Sequence, residues 1–378
     1  MINKNGLPLL GFGCLRLQKN IEESEKQILY ALEQGITYFD TAYIYPGNEV
    51  LLGKIFAANH CRDQVQIATK LPHYLVKKPQ DLERYFQIQL SRLQTNYVDY
   101  YLFHMLPDKE VWNKLISLGV LDWIKEKKAS GQIKKIGFSY HGNTKNFLDL
   151  LDAYPWEFCQ VQYNYMDEFA QAGRQGVETA WKKGIPVIIM EPLRGGLLAN
   201  HLPEKAISIM KAKDPTKSPA YWAFRWLFTQ PSISCVLSGM NTMEMLTENL
   251  QIVNEISPPL PGEEEFYASL KAAINEKTPI GCTGCGYCLP CPFGVDIPGC
   301  FRCFNVSGQD GYFKGFKEYI MVTSFGRKNS NGGKCTGCGK CKKNCPQSID
   351  IPVELKKVKG KFEHFIYKIA KAYIRRRL

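Results

Sequence analysis

The chain lacks any apolar run approaching the ~18 residues that a membrane-spanning helix requires, so no spanning helix is expected among its 378 residues. Its first residues carry neither a long apolar segment nor a small-residue cleavage pattern, and the expected compartment is therefore the cytoplasm. A third glycine is missing where a dinucleotide-binding G-x-G-x-x-G would need one. Gly11-Phe12-Gly13 ends a short apolar strand and no clear helix start follows, which weakens the case for an open, doubly wound sheet. No nucleic-acid recognition motif accompanies the formal charge of +12. Cysteine is scarce over the first 280 residues, where Cys14, Cys61, Cys159 and Cys235 stand far apart and read as small buried apolar side chains.

Residues 1–255 alternate short strands with helical segments, eight times over. The strands read as Leu9–Gly13, Ile36–Asp40, Val65–Thr69, Val98–Phe103, Lys135–Ser139, Phe158–Gln162, Pro186–Met190 and Ile233–Leu237. Amphipathic stretches such as Glu22–Gln34, Asp81–Leu93, Val111–Ala129, Arg174–Lys183 and Thr242–Val253 lie between them, and Gly35, Gly131 and Gly184 suit left-handed helix ends. Such alternation predicts an α/β fold, a (β/α)₈ TIM barrel, over residues 1–256. The Pro-rich break Ser257-Pro258-Pro259-Leu260-Pro261-Gly262 marks a boundary. Beyond it, residues 263–378 are expected to form a small, mostly helical domain that holds the cysteine-rich stretch and a closing helix over Val353–Leu378. That helix has Phe362, Phe365, Ile366, Ile369 and Tyr373 on one face and Lys and Arg on the other.

Four polar residues fall at successive strand ends: Asp40, then Tyr45 in the loop after it, Lys70 and His104. The C-terminal strand ends are where a parallel α/β protein does its chemistry. A free phenol has a pKa of about 10 and is a poor acid at neutral pH. An ammonium beside it favours the phenolate and lowers that pKa. Lys70 would serve in this way, with Asp40 holding it charged and in place. Tyr45 would then protonate a carbonyl oxygen as hydride reaches the carbon, and His104 would donate to the developing oxyanion. Singly, each also reads as an ordinary strand-end lysine, loop aromatic or core histidine.

Taken in this order, Asp40, Tyr45, Lys70 and His104 resemble the catalytic tetrad of the aldo-keto reductase superfamily. The resemblance extends to Gly35-Ile36-Thr37-Tyr38-Phe39-Asp40-Thr41-Ala42, Ile136-Gly137-Phe138-Ser139 and Glu191-Pro192-Leu193-Arg194-Gly195-Gly196-Leu197-Leu198. It implies a nicotinamide-dependent carbonyl reductase acting on a small aldehyde or ketone. In that family a Ser-Asn pair and a Gln hold the carboxamide, a Tyr stacks on the ring, and a Lys-Ser…Arg cluster grips the 2′-phosphate. Ser139 and Gln160 match, while Tyr140 stands where Asn is expected and Met190 takes the stacking position. Pro192, Leu193 and Gly195 belong to the expected cofactor loop. Gly239, Met240 and Met245 replace the basic grip, although Glu248-Asn249 remains. NAD(P)H is the implied cofactor, without a clamp for the 2′-phosphate; a site redesigned for NADH or for a flavin (FMN) is the alternative.

Ten of the fourteen cysteines crowd between Cys282 and Cys345. Cys335-x2-Cys338-x2-Cys341-x3-Cys345-Pro346 fits the bacterial ferredoxin run, and Cys282-x2-Cys285-x2-Cys288-x2-Cys291-Pro292 is one residue shorter. In two-cluster ferredoxins the fourth cysteine of each run serves the other cluster. One [4Fe–4S] cluster is then expected on Cys282, Cys285, Cys288 and Cys345, and a second on Cys335, Cys338, Cys341 and Cys291. Paired C-x2-C zinc sites are the alternative reading. Cys300 and Cys303 are expected on a helix packed over the clusters. The whole chain resembles an aldo-keto reductase subgroup with a C-terminal ferredoxin-like domain.

Clusters move single electrons whereas nicotinamide moves a hydride, so three functions remain open. In the first, the barrel is a nicotinamide-dependent reductase and the clusters are structural or regulatory. In the second, electrons pass from ferredoxin through the clusters to a barrel-bound flavin or to substrate, with Tyr45 supplying the proton. In the third, the protein is a non-catalytic carrier or redox sensor. The basic C-terminal helix is expected to dock its apolar face on the domain, and its charge would suit an acidic ferredoxin or flavodoxin before an anionic membrane.

Overall fold

Short β-branched and aromatic runs, bounded by glycine, proline and polar turns, form the strands. In the computed structural model, which describes residues 6–17, 20–324 and 329–375, eight of them pair in parallel and close into a barrel. They are β1 (Leu10–Gly13), β2 (Tyr38–Asp40), β3 (Gln66–Leu71), β4 (Val98–Phe103), β5 (Ile133–Tyr140), β6 (Phe158–Gln162), β7 (Val187–Met190) and β8 (Cys235–Ser238). Closure comes from β8 bonding back to β1, with Leu10 opposite Val236. The expected eight-stranded barrel is therefore present, each strand within two or three residues of its sequence-based bounds.

Side chains alternate across a strand, and that period decides what lies on the barrel axis. Tyr38, Ala68, Leu102, Phe158 and Ile188 point inward and form a buried interior cluster with Cys235 and Leu237. Two residues further along the same five strands come Asp40, Lys70, His104, Gln160 and Met190, one layer nearer the C-terminal mouth. Gly137 of β5 is required here: a Cβ at that position would fall 2.5 Å from the Phe158 carbonyl oxygen and 2.7 Å from its ring.

Gly35, Gly131 and Gly184 end their helices at φ of 85°, 74° and 73°, as a left-handed helix end requires. The continuous helix expected over Val111–Ala129 is two, Lys109–Ser117 and Val120–Ala129. Gly119 breaks it by taking φ 82°.

The chain divides into two compact units. One holds the residues up to Pro192 together with Ala220–Pro259, and the other holds Leu193–Pro219 with Leu260 onward. The second unit thus takes in residues 193–219, which lie inside the 1–256 expected for the barrel. Within it, the helix Glu204–Lys213 packs on the helix Glu263–Lys277, and Lys205 Nζ lies 2.7 Å from Glu276.

The C-terminal part of that unit is built from the helices Ile297–Gln309, Tyr312–Ser324, Ile351–Phe362 and Phe365–Arg375, around Val295, Ile297, Phe301, Tyr319, Leu355 and Phe362. The single closing helix expected from Val353 is interrupted at Glu363. Its carboxylate accepts from Tyr319 Oη, Asn331 Nδ2 and the Gly333 amide at 2.6–2.7 Å. This interruption changes the helical phase, so Phe362 and Tyr367 are buried while Phe365, Ile366 and Ile369 are 74%, 66% and 53% exposed. The expected docked apolar face is corrected accordingly, and the Tyr373 side chain lies outside the described residues. Among the described residues no helix is long and apolar enough to cross a membrane.

Candidate functional site

At the barrel mouth, Lys70 Nζ donates to both oxygens of Asp40 at 2.7 and 2.6 Å and to the Thr41 carbonyl at 2.6 Å. A lysine ammonium has three protons, and all three are committed. Lys70 is therefore a fixed positive charge here rather than a proton donor. The Tyr45 ring centroid lies 5.3 Å from that nitrogen. The rings of Tyr45 and His104 meet edge to face, 6.2 Å apart. Asp40, Lys70 and His104 are buried; Tyr45 is half-buried.

The loop presenting Tyr45 is tied down at both ends. Thr41 Oγ1 donates to Asn48 Oδ1 at 2.6 Å, and Asn48 Nδ2 donates to the Cys14 carbonyl at 2.7 Å. Burial pushes the Asp40 carboxyl up, against the pull of Lys70. Burial, and then the Lys70 charge, hold His104 well below the ordinary imidazole range, so it is neutral at physiological pH. A neutral imidazole offers one N–H and one bare nitrogen. Its Nδ1 is buried with no hydrogen-bond partner.

Two further histidines, His141 and His73, lower His104 when they carry charge. Burial lowers each of them to about 4. Unforeseen is a buried network under the rim. Gln89 Nε2 donates to Glu49 Oε1 at 2.8 Å and to the Lys70 carbonyl at 3.1 Å, Thr69 Oγ1 donates to Glu49 Oε1 at 2.6 Å, and Tyr101 Oη donates to Gln89 Oε1 at 2.7 Å. These residues position Lys70. Their only sequence signal is a Glu at the start of one helix and a Gln on the inward face of the next.

On the cofactor side, Ser139 Oγ accepts from the Met105 amide at 2.8 Å. Gln160 Nε2 lies 3.8 Å from Met190 Sδ, and Gln160 Oε1 is buried without a partner. An unsatisfied amide oxygen at the barrel mouth suits a ligand carboxamide, which supplies the missing donor. Tyr140 faces the other way: its ring packs on Phe138 and Phe147 and its hydroxyl donates to the Asn143 carbonyl at 2.6 Å. Asn249 Nδ2 donates to Ser238 Oγ at the end of β8, 2.8 Å away, next to exposed Gly239. Pro192, Leu193 and Gly195 lie in the segment that leaves β7.

In the C-terminal unit the cysteines line two cavities. One is bounded by Cys282, Cys285, Cys288 and Cys345 with Ile297 and Phe301. The other is bounded by Cys335, Cys338, Cys341 and Cys291 with Ile297 and Leu355. In each cavity three cysteines come from one block and the fourth from the other. Ile297 stands in both walls. Burial pushes the Cys282 thiol to about 11 and Cys288 to about 12, so a bound cation must supply the charge that makes them thiolates. Among the described residues no three His, Cys, Asp or Glu side chains close on one point as ligands of a single ion would. Four thiols lining one hollow fit a multi-iron cluster. Cys300 and Cys303 are buried on Ile297–Gln309 and line neither cavity.

The aldo/keto reductase family model matches residues 9–263, and a 4Fe-4S dicluster domain matches residues 281–349. Relatives include the uncharacterized oxidoreductase YrpG of Bacillus subtilis, 24% identical over 60% of this chain and 80% of that protein. Another is the methylglyoxal reductase DkgA of Yersinia pestis, 34% identical over 35% of this chain and 44% of that protein. Among solved structures, aldo-keto reductase AKR11C1 from Bacillus halodurans superimposes with a TM-score of 0.58 at 22% identity, covering 70% of this chain and 92% of that one. A Klebsiella pneumoniae aldo-keto reductase in complex with NADPH gives 0.56 at 21% identity, over 71% and 91% of the two chains.

Proposed function

The chain belongs to the aldo/keto reductase family, and on that premise we propose that this iron–sulfur oxidoreductase reduces a small aldehyde or ketone with Tyr45 as general acid. The observation that carries this reading is the Lys70 ammonium, held by Asp40 and Thr41 and facing the Tyr45 ring at 5.3 Å. When bound, NADH or NADPH supplies the hydride to the carbonyl carbon. Tyr45 gives its phenolic proton to the carbonyl oxygen, and the fixed charge of Lys70 favours the phenolate left behind. His104, neutral, donates an N–H to the same oxygen as negative charge gathers there. Gln160 and Ser139 would hold the carboxamide and Met190 would lie under the ring. Pro192 would follow the pyrophosphate, with Gly239 and Asn249 at the adenosine end. Two [4Fe–4S] clusters are assigned, one to Cys282, Cys285, Cys288 and Cys345 and one to Cys335, Cys338, Cys341 and Cys291.

A second reading draws on the cofactor side. No cationic residue stands at Gly239, Met240 or Met245, so nothing there matches a 2′-phosphate, and a dicluster domain is an apparatus for single electrons. In this reading a barrel-bound FMN, or the substrate itself, takes electrons from the clusters, and an acidic ferredoxin or flavodoxin delivers them.

The test is anaerobic protein assayed for NADH and NADPH oxidation against methylglyoxal and a panel of simple aldehydes and ketones. Tyr45→Phe should lower turnover by at least about 10²-fold while nucleotide affinity and cluster absorption stay unchanged. Equal turnover in the variant would sink the proposal. Flavin bands in the purified protein, with no nucleotide oxidation, would move the function to the second reading.

A further inference from the structure

We propose that the lysine-rich rim of the second cysteine cavity is the docking surface for an acidic one-electron carrier protein, and hence the port through which electrons reach the clusters. The proposal rests on reading the two cavities as cluster sites.

The two cysteine blocks are related in sequence but differ in charge: the first is neutral and the second strongly basic. Residues 280–294, around the first block, contain no charged side chain at all. Residues 334–361, which hold the second block and the helix behind it, contain eight lysines against two carboxylates. Both carboxylates are already paired, Asp350 with Lys342 at 2.6 Å and Glu354 with Lys357 at 2.7 Å. Lys340 and Lys343, on the short helix Lys340–Lys343, are exposed and have no carboxylate partner among the described residues. The same holds for Lys356 on Ile351–Phe362.

These lysines flank a solvent-exposed ligand position of the second cavity, whereas no charged residue flanks exposed Cys285 of the first in the sequence. Cys338 is exposed, and Gly339 and Cys341 beside Lys340 line the cavity. Pro352 and Leu355 of the next helix line it too, and Lys356 follows them. Lys334, next to Cys335, has its Nζ 3.0 Å from where a Cβ on Gly294 would lie.

Flexible, strongly hydrated ammonium groups steer an oppositely charged partner and raise its encounter rate without holding it tightly. That is the kinetic need of a carrier that must arrive, deliver and leave. One electron leaves the reduced carrier and one reaches the oxidised cluster, with no bond made and no proton moved. Ile297, common to both cavity walls, leaves the first cavity as the next stop. An anionic bilayer would instead engage the exposed Phe365, Ile366 and Ile369 of the following helix, which have no cysteine among them.

The experiment follows cluster bleaching by stopped flow in the full-length, cluster-loaded protein. It compares a reduced acidic [2Fe–2S] ferredoxin with photoreduced deazaflavin, a small neutral reductant. The ferredoxin rate should fall about tenfold as salt rises from about 20 to 200 mM. The triple variant Lys340→Gln, Lys343→Gln, Lys356→Gln should lose about tenfold at low salt and most of the salt dependence, while deazaflavin reduces both proteins equally. Equal ferredoxin rates in parent and variant would overturn the docking proposal with the cluster reading intact. Failure of deazaflavin to bleach either protein would remove the cluster reading itself, and the proposal with it. Sedimentation with phosphatidylserine vesicles, lost in the triple variant while the ferredoxin rate is not, would reassign the patch to a membrane and likewise overturn the proposal.

Discussion

Replacing Lys70 by Met separates a fixed-charge role from a merely structural one. Lys70 Nζ stands 5.3 Å from the Tyr45 ring centroid; taking about 5 Å as the scale of the charge–phenolate separation, at an effective dielectric near 20 the attraction is worth about 3 kcal/mol. At 1.36 kcal/mol per pKa unit that is about two units of phenol acidity. Asp40, 2.6 Å from the same nitrogen, opposes part of this in the native site. In Lys70→Met the attraction is gone and the buried carboxylate remains, so the phenol becomes a weaker acid than in a site with neither charge. Stability falls as well, because an unpaired buried charge typically costs 3–5 kcal/mol. In the double variant Lys70→Met, Asp40→Asn, both charges are absent and only their difference is lost. The expected order of kcat/KM is parent, then double variant, then single variant, with the single variant down by about a hundredfold and less thermally stable than the double. The assay is carbonyl reduction between about pH 6 and 9, on proteins matched for cluster absorption and circular dichroism. A single variant faster than the double, or equal to the parent, would refute the fixed-charge argument.

Two other predictions concern the clusters and the histidines. Cys285→Ala and Cys345→Ala, far apart in sequence but in one cavity, should each lose about half the iron and leave the same residual electron paramagnetic resonance signal. Cys341→Ala, in the other cavity, should leave the complementary signal; three unrelated spectra would refute the crossed ligand sets. His73 and His141 have folded pKa values of about 4 against about 6.5 in an unfolded chain. Above pH 6.5 they contribute nothing to pH dependence. As pH falls from there towards 4 the unfolded chain binds protons that the folded chain refuses, so stability drops, by up to about 3 kcal/mol per residue. Urea denaturation of the double variant His73→Gln, His141→Gln should show a shallower loss between pH 6.5 and 4 than the parent, and an identical slope would count against their burial.

The barrel and its polar rim were legible because one short rule governs both. Once Tyr38, Ala68, Leu102, Phe158 and Ile188 are recognised as axis residues, the period of two carries Asp40, Lys70, His104, Gln160 and Met190 to the mouth with no further information. The same rule, applied to β5, turns Tyr140 away from the mouth once Ser139 faces it, and its hydroxyl indeed meets Asn143. The interruption at Glu363 was not legible. It depends on donors from Tyr319, Asn331 and Gly333, and no local propensity within Lys359–Tyr367 announces them. The pairing of the helix Glu204–Lys213 with Glu263–Lys277 was not legible for a similar reason: the two are separated by more than forty residues of chain.

The choice between hydride and single-electron chemistry depends on which residues are indifferent to it. Tyr45, Lys70, Asp40 and His104 manage a proton and a developing oxyanion, and both demands arise whether two electrons reach the carbonyl together or in succession. The rim is therefore compatible with either supply. What differs is the wall that holds the donor. Gln160 has an unsatisfied amide oxygen, which a carboxamide on a nicotinamide or the ring N–H of a flavin could meet equally well. Met190, beside it, is a flexible, polarisable surface that accepts either ring. The discriminating contact is the one at the adenosine end, where Asn249 is already engaged by Ser238 and Gly239 presents no side chain. A nucleotide must draw part of its affinity from that end, whereas FMN, which has no adenosine, needs nothing there. Gly239→Arg would place a cation beside Asn249 and should tighten NADPH by about tenfold, measured as a dissociation constant by tryptophan quenching, with FMN affinity unchanged. No change in NADPH affinity would mean that the nucleotide does not reach β8, and the argument for a nicotinamide site would fail at that contact.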